Sequence, residues 1–429
     1  MPDVPISRRS LLAGAAAGAA FAIVPRHVLG GEGHKAPSDV ITRGTIGTGS
    51  QGMSHVVENR PGEPPVQLAV CDVDKNHLAA AIKKAGPGCR GYADFREVLD
   101  RRDIDVIHIG APPHWHALIT IAAVQAGKDV FCEKPMTRFI REGRAVIDAA
   151  ARYGRIVMYN TYGRGGWQKM RKLVLSGLLG TPLKVYMGPK SNYGFKIRQW
   201  TGRTNLEPQP VPPELDYDLW LGPAPLKPYH PHRVHGSFRG YWDYDGGGLT
   251  DMGQHWIDPV QYVLGKDDTG PVRVETLAPW PAHPEACGLW GRIVLTYADG
   301  TTITLESGEW GEARAGPVPF IDGPRGRVFR DPVRGHYTTE PEGLLDGLAP
   351  AAGPPEMIDF ETAVRTRSRA PGDKPNADQA HRSVTLLHLA NISIRTGRPL
   401  AWDPVAEQVV GDDEANRLVD VPMRAPWRL

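Results

Sequence analysis

The stretch "RGTIGTGSQG" at residues 43–52 decides the fold that we expect for the first part of the chain. Gly47, Gly49 and Gly52 are spaced as G-x-G-x-x-G directly after an apolar run of strand length, and Asp72 ends the next such run twenty residues later. Such a glycine turn lets a pyrophosphate approach the backbone, and a carboxylate at this spacing accepts hydrogen bonds from ribose hydroxyls. The stretch therefore predicts a dinucleotide-binding Rossmann domain.

The loop residues Ser50 and Gln51 complete this predicted cofactor-binding turn, and residues 50–60 are expected to continue it as a helix. A helix that begins here would direct backbone N–H groups and a positive dipole end at the phosphates. Asp74 follows Asp72 closely, with no arginine or lysine between them. A second carboxylate repels the 2′-phosphate of NADP, so the sequence favours NAD and leaves NADP as the alternative.

From Asp39 onward, apolar runs of strand length alternate with amphipathic runs of helix length up to "RIVMYN" at residues 155–160. This alternation predicts a doubly wound parallel sheet, the α/β fold class, over residues 39–164. Beyond it, four longer runs that include "GRIVLTYAD" and "TTITLESGEW" alternate with period two. Residues 165–429 are therefore expected to form a C-terminal α/β domain with a large, mostly antiparallel open sheet that binds substrate and supports oligomerisation.

Residues 1–38 are expected to be a signal and a linker rather than part of the fold. Arg8 and Arg9 precede the apolar run Leu11–Val24, which has fourteen residues, against the roughly 20 that a membrane helix needs. This pattern predicts a twin-arginine signal, export to the periplasm, and no stable membrane span after processing. A mitochondrial-type sequence or an uncleaved N-terminal anchor is the alternative. Because the twin-arginine route carries folded proteins, a cofactor bound in the cytoplasm can be exported inside its protein.

Charge and cysteine content exclude several classes of partner. The 50 basic residues nearly balance the 48 acidic ones, which gives no basic surface for nucleic acid. The four cysteines show neither a CxxC pair nor a zinc spacing, so we expect no disulfide framework. Histidines at positions 114 and 116 could offer metal ligands, but they lack a Cys/His array or an HExxH motif. The sequence therefore predicts no metal centre.

Two further stretches carry candidate catalytic groups. Lys134 follows a predicted strand in "EKP", at the sheet edge where doubly wound folds place their ligands. In "GGGLTDMGQHWIDPVQYVLG", Asp251 and His255 are four residues apart and would share one face of a helix. A carboxylate one turn from a histidine can hold its tautomer and support it as a general base. Asp258 is interpreted instead as a helix-packing hydrogen-bond partner.

Together these motifs resemble the glucose-fructose oxidoreductase, inositol dehydrogenase and rhizopine catabolism family (Gfo/Idh/MocA), in its long, twin-arginine-exported form. The resemblance covers the whole mature chain through "IGTGSQG", "PPHWHA", "AGKDVFCEKPMT", "LDYDLWLGPAP", "GGGLTDMGQHWID" and "DDEANRLVDVPMRAPW". It implies Lys134, Asp251 and His255 as the catalytic group and often an oligomer. It also implies a cofactor lining of Pro113, Trp115, His116, Glu133, Lys134 and Asn160. Many exported relatives carry "GTQ.R" where this chain has "NTYGR" at residues 160–164.

The function expected from the motifs and the resemblance is hydride transfer between a tightly bound nicotinamide cofactor and a secondary hydroxyl or ketone of a sugar, cyclitol or glycoside. Two alternatives remain open: an NAD-dependent glycoside hydrolase that uses transient oxidation, and a non-catalytic sugar-binding protein. A homo-oligomer is expected. The residues predicted to contact the substrate are Tyr162, Arg164, His235, Tyr241 and Trp242.

Overall fold

The computed structural model describes residues 39–194, 202–277, 284–287, 291–307, 318–331, 333–346, 348, 357–369 and 372–429. The predicted signal at residues 1–38 lies outside the described residues. The described residues from Thr42 to Leu429 form one compact unit that contains two sheets. Within the described ranges, no helix is both long enough and apolar enough to cross a bilayer.

The first sheet is parallel and has six strands in the order β3-β2-β1-β4-β5-β6. Its strands are β1 Arg43–Ile46, β2 Gln67–Cys71, β3 Arg90–Tyr92, β4 Val106–Ile109, β5 Asp129–Glu133 and β6 Val157–Asn160. β2 and β4 are buried along their whole length, as expected for a sheet covered on both faces. The predicted doubly wound sheet is confirmed. Strand β3 was not predicted, because its three residues carry almost no apolar signal.

The helices associated with the first sheet are α1 Lys75–Ala85, α2 Phe95–Leu99, α3 Pro113–Gln125 and α4 Ile140–Arg152. The helix expected over residues 50–60 is wrong: only the 3-10 helix Gly52–His55 forms, and Val56 is already extended. The Asn59 side chain accepts from the backbone N–H groups of Val66 and Gln67, each at 2.9 Å. This asparagine holds the segment in a loop, since such side chains compete with helical backbone bonding.

The second sheet has nine strands in the order β13-β12-β11-β7-β10-β9-β8-β14-β15. Its pairs are antiparallel except β7 with β10, which confirms a mostly antiparallel sheet. The strands are β7 Lys184–Met187, β8 Arg273–Leu277, β9 Arg292–Thr296, β10 Thr302–Glu306, β11 Ile321–Gly323, β12 Gly326–Arg330, β13 Tyr337–Glu340, β14 Leu400–Asp403 and β15 Gln408–Val409. The sequence predicted β7 to β10 only.

The remaining helices include one that joins the two cores. They are α5 Gln168–Leu175, α6 Tyr217–Leu221, α7 Gly247–Asp251, α8 Gly253–Val263, α9 Phe360–Thr366, α10 Ala377–Thr396 and α11 Asp413–Val419. The first turns of α10 place Ala380 and Val384 in the core of the first sheet, and its later turns place Leu387 and Ile394 in the core of the second. A capping box between Asn376 and Gln379 begins this helix. Its length therefore fixes the two domains against each other.

Residues 214–240, which we call the strap, cross from the second domain to the carboxyl end of β2 in the first sheet. Leu215 pairs with Asp74 in an antiparallel bridge. The Lys75 N–H donates to the Glu214 carbonyl at 2.9 Å, and the Asp216 N–H donates to the Val73 carbonyl at 3.0 Å. Strand-type hydrogen bonds thus attach the strap beside the end of β2.

Candidate active site and cofactor cleft

A cavity of about 370 Å³ lies at the carboxyl ends of the parallel strands, where doubly wound sheets bind their ligands. One wall comes from the glycine loop and the ends of β2, β4 and β5, and the other comes from the strap. The strap contributes Leu219, Trp220, His235, Phe238 and Arg239 to this lining. The cleft is therefore made jointly by the two domains.

Three glycines make the loop end of the cleft as tight as a pyrophosphate cradle requires. Gly47 has φ +79°, and a Cβ on it would lie 2.4 Å from the backbone nitrogen of Ala111. A Cβ on Gly52 would lie 1.8 Å from the Gly47 carbonyl oxygen. A Cβ on Gly49 would approach only His77, at 3.6 Å, and Gly49 lines the cavity together with Ser50 and Gln51. The first and third glycines thus pack the turn, and the second leaves its backbone open to a ligand.

Asp72 lines the same cavity and is held by the loop that it faces. Its Oδ2 accepts from the Thr48 backbone N–H at 2.6 Å and from Thr48 Oγ1 at 3.2 Å. Its Oδ1 accepts from the Asp74 backbone N–H at 2.9 Å. A carboxylate has about four acceptor sites, so these bonds leave capacity for a hydroxyl. The ribose contact of Asp72 stays a prediction, and the free acceptor capacity of Asp72 together with the open loop fits a dinucleotide.

Glu133, at the end of β5, carries an oxygen with unused acceptor capacity at the cleft. Its Oε1 accepts from Asn160 Nδ2 at 2.8 Å and from Gln51 Nε2 at 3.1 Å, and it contacts His55 Nε2 at 2.7 Å. Burial opposes its ionisation, but these partners outweigh burial and lower the pKa of Glu133 to about 2. Oε2 is buried and has no hydrogen-bond partner. An amide donor of a bound cofactor would satisfy such an oxygen.

A buried charge cluster forms the other end of the cleft. Lys134 Nζ donates to Asp251 Oδ2 at 3.0 Å, and Arg239 Nε donates to Asp251 Oδ1 at 3.2 Å. The side chains of Lys134 and Asp251 are 9% and 3% exposed, and all three residues line the cavity. The Met136 N–H donates to Gln254 Oε1 at 2.8 Å, which ties the turn after Lys134 to α8. Arg239 was not predicted from the sequence, because no motif marks the strap position that reaches Asp251.

His255 lies close to this cluster but is not bonded to Asp251 as predicted. The helix breaks between Asp251 and Gly253, and both carboxylate oxygens of Asp251 bond to the two cations instead. The Nδ1 atom of His255 is buried without a hydrogen-bond partner. Burial first, and then the charge of Lys134, lower the pKa of His255 to about 3. The prediction that Asp251 orients His255 is therefore corrected.

The ring of Tyr162 packs against the face of the His255 ring. The two ring centres are 3.8 Å apart and the planes differ by 4°, so the rings are stacked. Tyr162 is 58% exposed and is accessible from solvent. The structure thus places this predicted substrate residue against the predicted base.

Three other predicted substrate residues lie in the interior and do not line the cleft. Arg164 is 1% exposed and pairs with Asp258 and Asp267, at 2.6 and 3.0 Å. Tyr241 is fully buried, and Trp242 has the guanidinium carbons of two arginines 3.9 and 4.1 Å from its ring centre. Their sequence neighbourhood indicated a sugar wall, but desolvated charge pairing and aromatic packing place them in the core. The interpretation of Asp258 as a packing partner agrees with its bond to Arg164.

Some of the predicted cofactor residues of the "PPHWH" stretch line the cavity, and others support the turns behind it. Pro113 and Trp115 line the cavity. Both ring nitrogens of His116 lie 2.7 Å from backbone carbonyl oxygens, those of Pro135 and Ala111, so this residue fastens two turns behind the cleft. His114 Nε2 contacts the Trp220 carbonyl at 3.0 Å. The two histidines do not converge on a shared ligand.

Comparison with known protein families shows the family to which this chain belongs. Residues 41–161 match the model of the oxidoreductase family NAD-binding Rossmann fold, and residues 166–429 match the model of its C-terminal alpha/beta domain. The chain belongs to this family, Gfo/Idh/MocA, as the sequence motifs implied.

Two relatives that match part of the chain are named as dehydrogenases of inositol and of levoglucosan. Inositol 2-dehydrogenase of Klebsiella pneumoniae is 31% identical over 146 residues, 33% of this chain and 43% of that protein. Levoglucosan dehydrogenase of Pseudarthrobacter phenanthrenivorans is 26% identical over 204 residues, 47% of this chain and 43% of that protein. The chain thus matches less than half the length of each of these relatives.

Two solved structures share the fold. The WlbA dehydrogenase of Chromobacterium violaceum, solved in complex with NADH and UDP-GlcNAcA, aligns with a TM-score of 0.55 and 18% identity over 85% of this chain and 96% of that one. The aldose-aldose oxidoreductase of Caulobacter crescentus aligns with a TM-score of 0.53 and 18% identity over 84% of this chain and 99% of that one. At this identity the likeness establishes the two-domain fold alone.

Proposed function

We propose that this protein is an NAD-dependent oxidoreductase that transfers a hydride between the cofactor and a secondary hydroxyl, or the matching ketone, of a sugar, cyclitol or glycoside. The observation that carries the proposal is that one cavity joins the glycine cradle to the Lys134–Asp251–Arg239 cluster. The named relatives act on inositol and levoglucosan, which supports a polyhydroxylated ring as the substrate.

The residues at the charged end have separate tasks in this proposal. Asp251 holds Lys134 at the cavity wall, where the ammonium group can donate to a substrate oxygen and stabilise negative charge that develops on it. His255, whose pKa is lowered to about 3 mainly by burial, is neutral at ordinary pH and can accept the hydroxyl proton. A bound nicotinamide supplies the hydride acceptor. Arg239 holds the second oxygen of Asp251.

The preference for NAD over NADP follows from charge at the end of β2. Asp72 lines the cleft, and Asp74 follows it as the N-cap of α1. Two carboxylates repel a 2′-phosphate. The strap, bonded to residues 73–75 beside this position, supports the further proposal that the cofactor is retained tightly.

We also propose that the protein is exported in its folded form through the twin-arginine machinery, acts in the periplasm and forms a homo-oligomer. The support for export is the Arg8–Arg9 pair before a short apolar run. An Arg8→Lys, Arg9→Lys double variant tests it, because the change should leave the protein folded in the cytoplasm. Normal export of the double variant would contradict the proposal.

A product screen tests the proposed reaction. The purified protein is incubated with single sugars, cyclitols and glycosides, while absorbance near 340 nm reports cofactor reduction and mass spectrometry reports the product. The expected result is a keto product two mass units below its substrate, formed together with reduced NAD. Sustained glycosidic cleavage without an added electron acceptor would favour the hydrolase mechanism instead, and binding without any turnover would favour a non-catalytic sugar-binding protein.

A further inference from the structure

Three residues with metal-binding side chains meet at the rim of the cleft, at the end away from Lys134. Asp74 is the N-cap of α1, His77 lies in the first turn of α1, and His235 lies in the strap. One potential ligand atom from each lies within 4.8 Å of the other two. No sequence motif predicts this group, because His235 is far from the other two residues along the chain. Only the fold brings them together.

The spacing of these side chains fits a shared ion better than a direct hydrogen bond. His235 Nε2 lies 3.5 Å from Asp74 Oδ2. That is longer than a good N–H···O bond, but it is close to the ~3.4 Å edge of a tetrahedron with Zn–ligand bonds of about 2.1 Å. The ring centres of His77 and His235 are 4.9 Å apart, with planes 70° from parallel. Two imidazoles on one zinc ion place their ring centres about 5 Å apart.

The surroundings leave the ligand atoms available. Asp74 uses Oδ1 to cap α1, accepting from the Asn76 and His77 backbone N–H groups at 2.8 and 3.2 Å, so Oδ2 is not needed for the cap. His77 Nδ1 lies 3.7 Å from Asp72 Oδ1. This distance is longer than a hydrogen bond, so the His77 ring must rotate slightly before Asp72 can orient it as carboxylates orient metal-bound histidines.

The histidine side chains can adjust to an ion. Those of His77 and His235 are 35% and 42% exposed, so their rings can rotate toward one point. His235 has φ +51°, a left-handed backbone conformation that histidine adopts more often than most residues other than glycine.

From this geometry we propose that Asp74, His77 and His235 form a binding site for a borderline divalent metal ion, with zinc as the best-matched ion. Two imidazoles and one carboxylate suit zinc, whereas magnesium and calcium prefer oxygen ligands alone. Three protein ligands leave one position of a tetrahedron for water. The ion would connect the strap to α1 at the rim of the cleft and so slow the exchange of a bound cofactor. This site is separate from the proposed reaction, which uses the other end.

Zinc titration of the full-length protein, prepared without an affinity tag and saturated with NAD, tests the site. Isothermal titration calorimetry should show one zinc equivalent per chain that His235→Ala removes. Asp74→Asn should weaken the same binding while its Oδ1 still caps α1. The matched control is His336→Ala, which removes an exposed histidine that does not line the cleft and should keep the equivalent. Magnesium should not bind at this position.

Cobalt substitution and cofactor release provide independent readouts. Co²⁺ bound to the wild-type protein should show the visible absorption of a four-coordinate ion, and His77→Gln, a change at the half-buried rim of the cleft, should abolish it. NAD should leave more slowly with zinc than with a chelator in the wild type, and this difference should vanish in His235→Ala. Equal zinc stoichiometry in the wild type, His235→Ala and His77→Gln would overturn the proposal, as would the absence of zinc binding to the folded wild type.

Discussion

The glycine loop and the Lys134–Asp251–Arg239 cluster border one cavity, but they are built by different means. At the loop, the backbone conformation itself makes the site: Gly47 and Gly52 pack so closely that a Cβ on either would meet backbone atoms within 2.4 Å. At the cluster, side chains from the residue after β5, from the strap and from α7 meet through two hydrogen bonds to one carboxylate. The first end depends on local sequence, and the second depends on how the domains are assembled.

This difference predicts which substitutions change cofactor binding and which change the rate of the reaction. A change in the loop should alter cofactor affinity, since the loop offers backbone donors and space. A change in the cluster should alter turnover, because its charges face the place where the substrate oxygen would lie. Buried residues outside the cleft should alter stability alone.

The largest effect is expected from Lys134→Met. Removing the ammonium group takes away a donor to the substrate oxygen, and a positioned acid–base or electrostatic group contributes typically ~10² to 10⁴ in rate. We expect kcat to fall by that range while NAD still binds, as measured by steady-state kinetics and cofactor titration. Lys83→Met, on the exposed surface of α1, is the control and should behave as the wild type. Turnover of Lys134→Met near the wild-type rate would move the chemistry elsewhere.

Arg164→Met tests the assignment of Arg164 to the interior. The variant leaves the buried carboxylate of Asp258 and the half-buried carboxylate of Asp267 without the Arg164 guanidinium, and breaking a buried ion pair costs about 3 to 5 kcal/mol. The free energy of unfolding should fall by about this amount, while the KM of the folded protein changes little. A large rise in KM at unchanged stability would restore Arg164 as a substrate contact.

The two loop variants Gly49→Ala and Gly52→Ala test whether the loop controls cofactor affinity separately from stability. In Gly52→Ala the new Cβ would meet the Gly47 carbonyl, so the thermal midpoint without cofactor should drop. In Gly49→Ala the Cβ meets only His77 at 3.6 Å, so the fold should remain intact. NAD affinity of Gly49→Ala should still weaken by about tenfold, or ~1.4 kcal/mol. Unchanged affinity in Gly49→Ala would show that the cofactor does not approach this loop.

The smallest expected effect concerns pH. Burial and Lys134 lower the pKa of His255 to about 3 from its usual 6.5, so this histidine is neutral throughout the range between those values. Protonation would stop it from accepting a proton, and that loss should begin only near pH 3. On the acid side, the pH profile of kcat/KM should therefore have no step near pH 6.5 that can be assigned to His255. The profiles of the wild type and of His255→Gln should have the same shape near that pH. A step there in the wild type alone would show that His255 has an ordinary pKa in the working enzyme.

The sequence predicted best those features that a contiguous stretch encodes. The glycine turn, Asp72 and Lys134 each follow an apolar strand, so their position at the sheet edge follows from the parallel fold. Arg239 could not be found in this way, because its role depends on the strap crossing to α7. The pairing of Asp251 was mistaken for the same reason: helical spacing to His255 is local, whereas Lys134 and Arg239 compete for Asp251 through tertiary contacts.

Isotope transfer measures whether a hydride moves from a substrate carbon to the bound cofactor. A sugar or cyclitol that reduces the cofactor in the product screen is prepared with deuterium on its reacting carbinol carbon. After a single turnover, mass spectrometry of the released nicotinamide cofactor should show one deuterium per reduced molecule. Product formation with no deuterium in the cofactor would contradict the account.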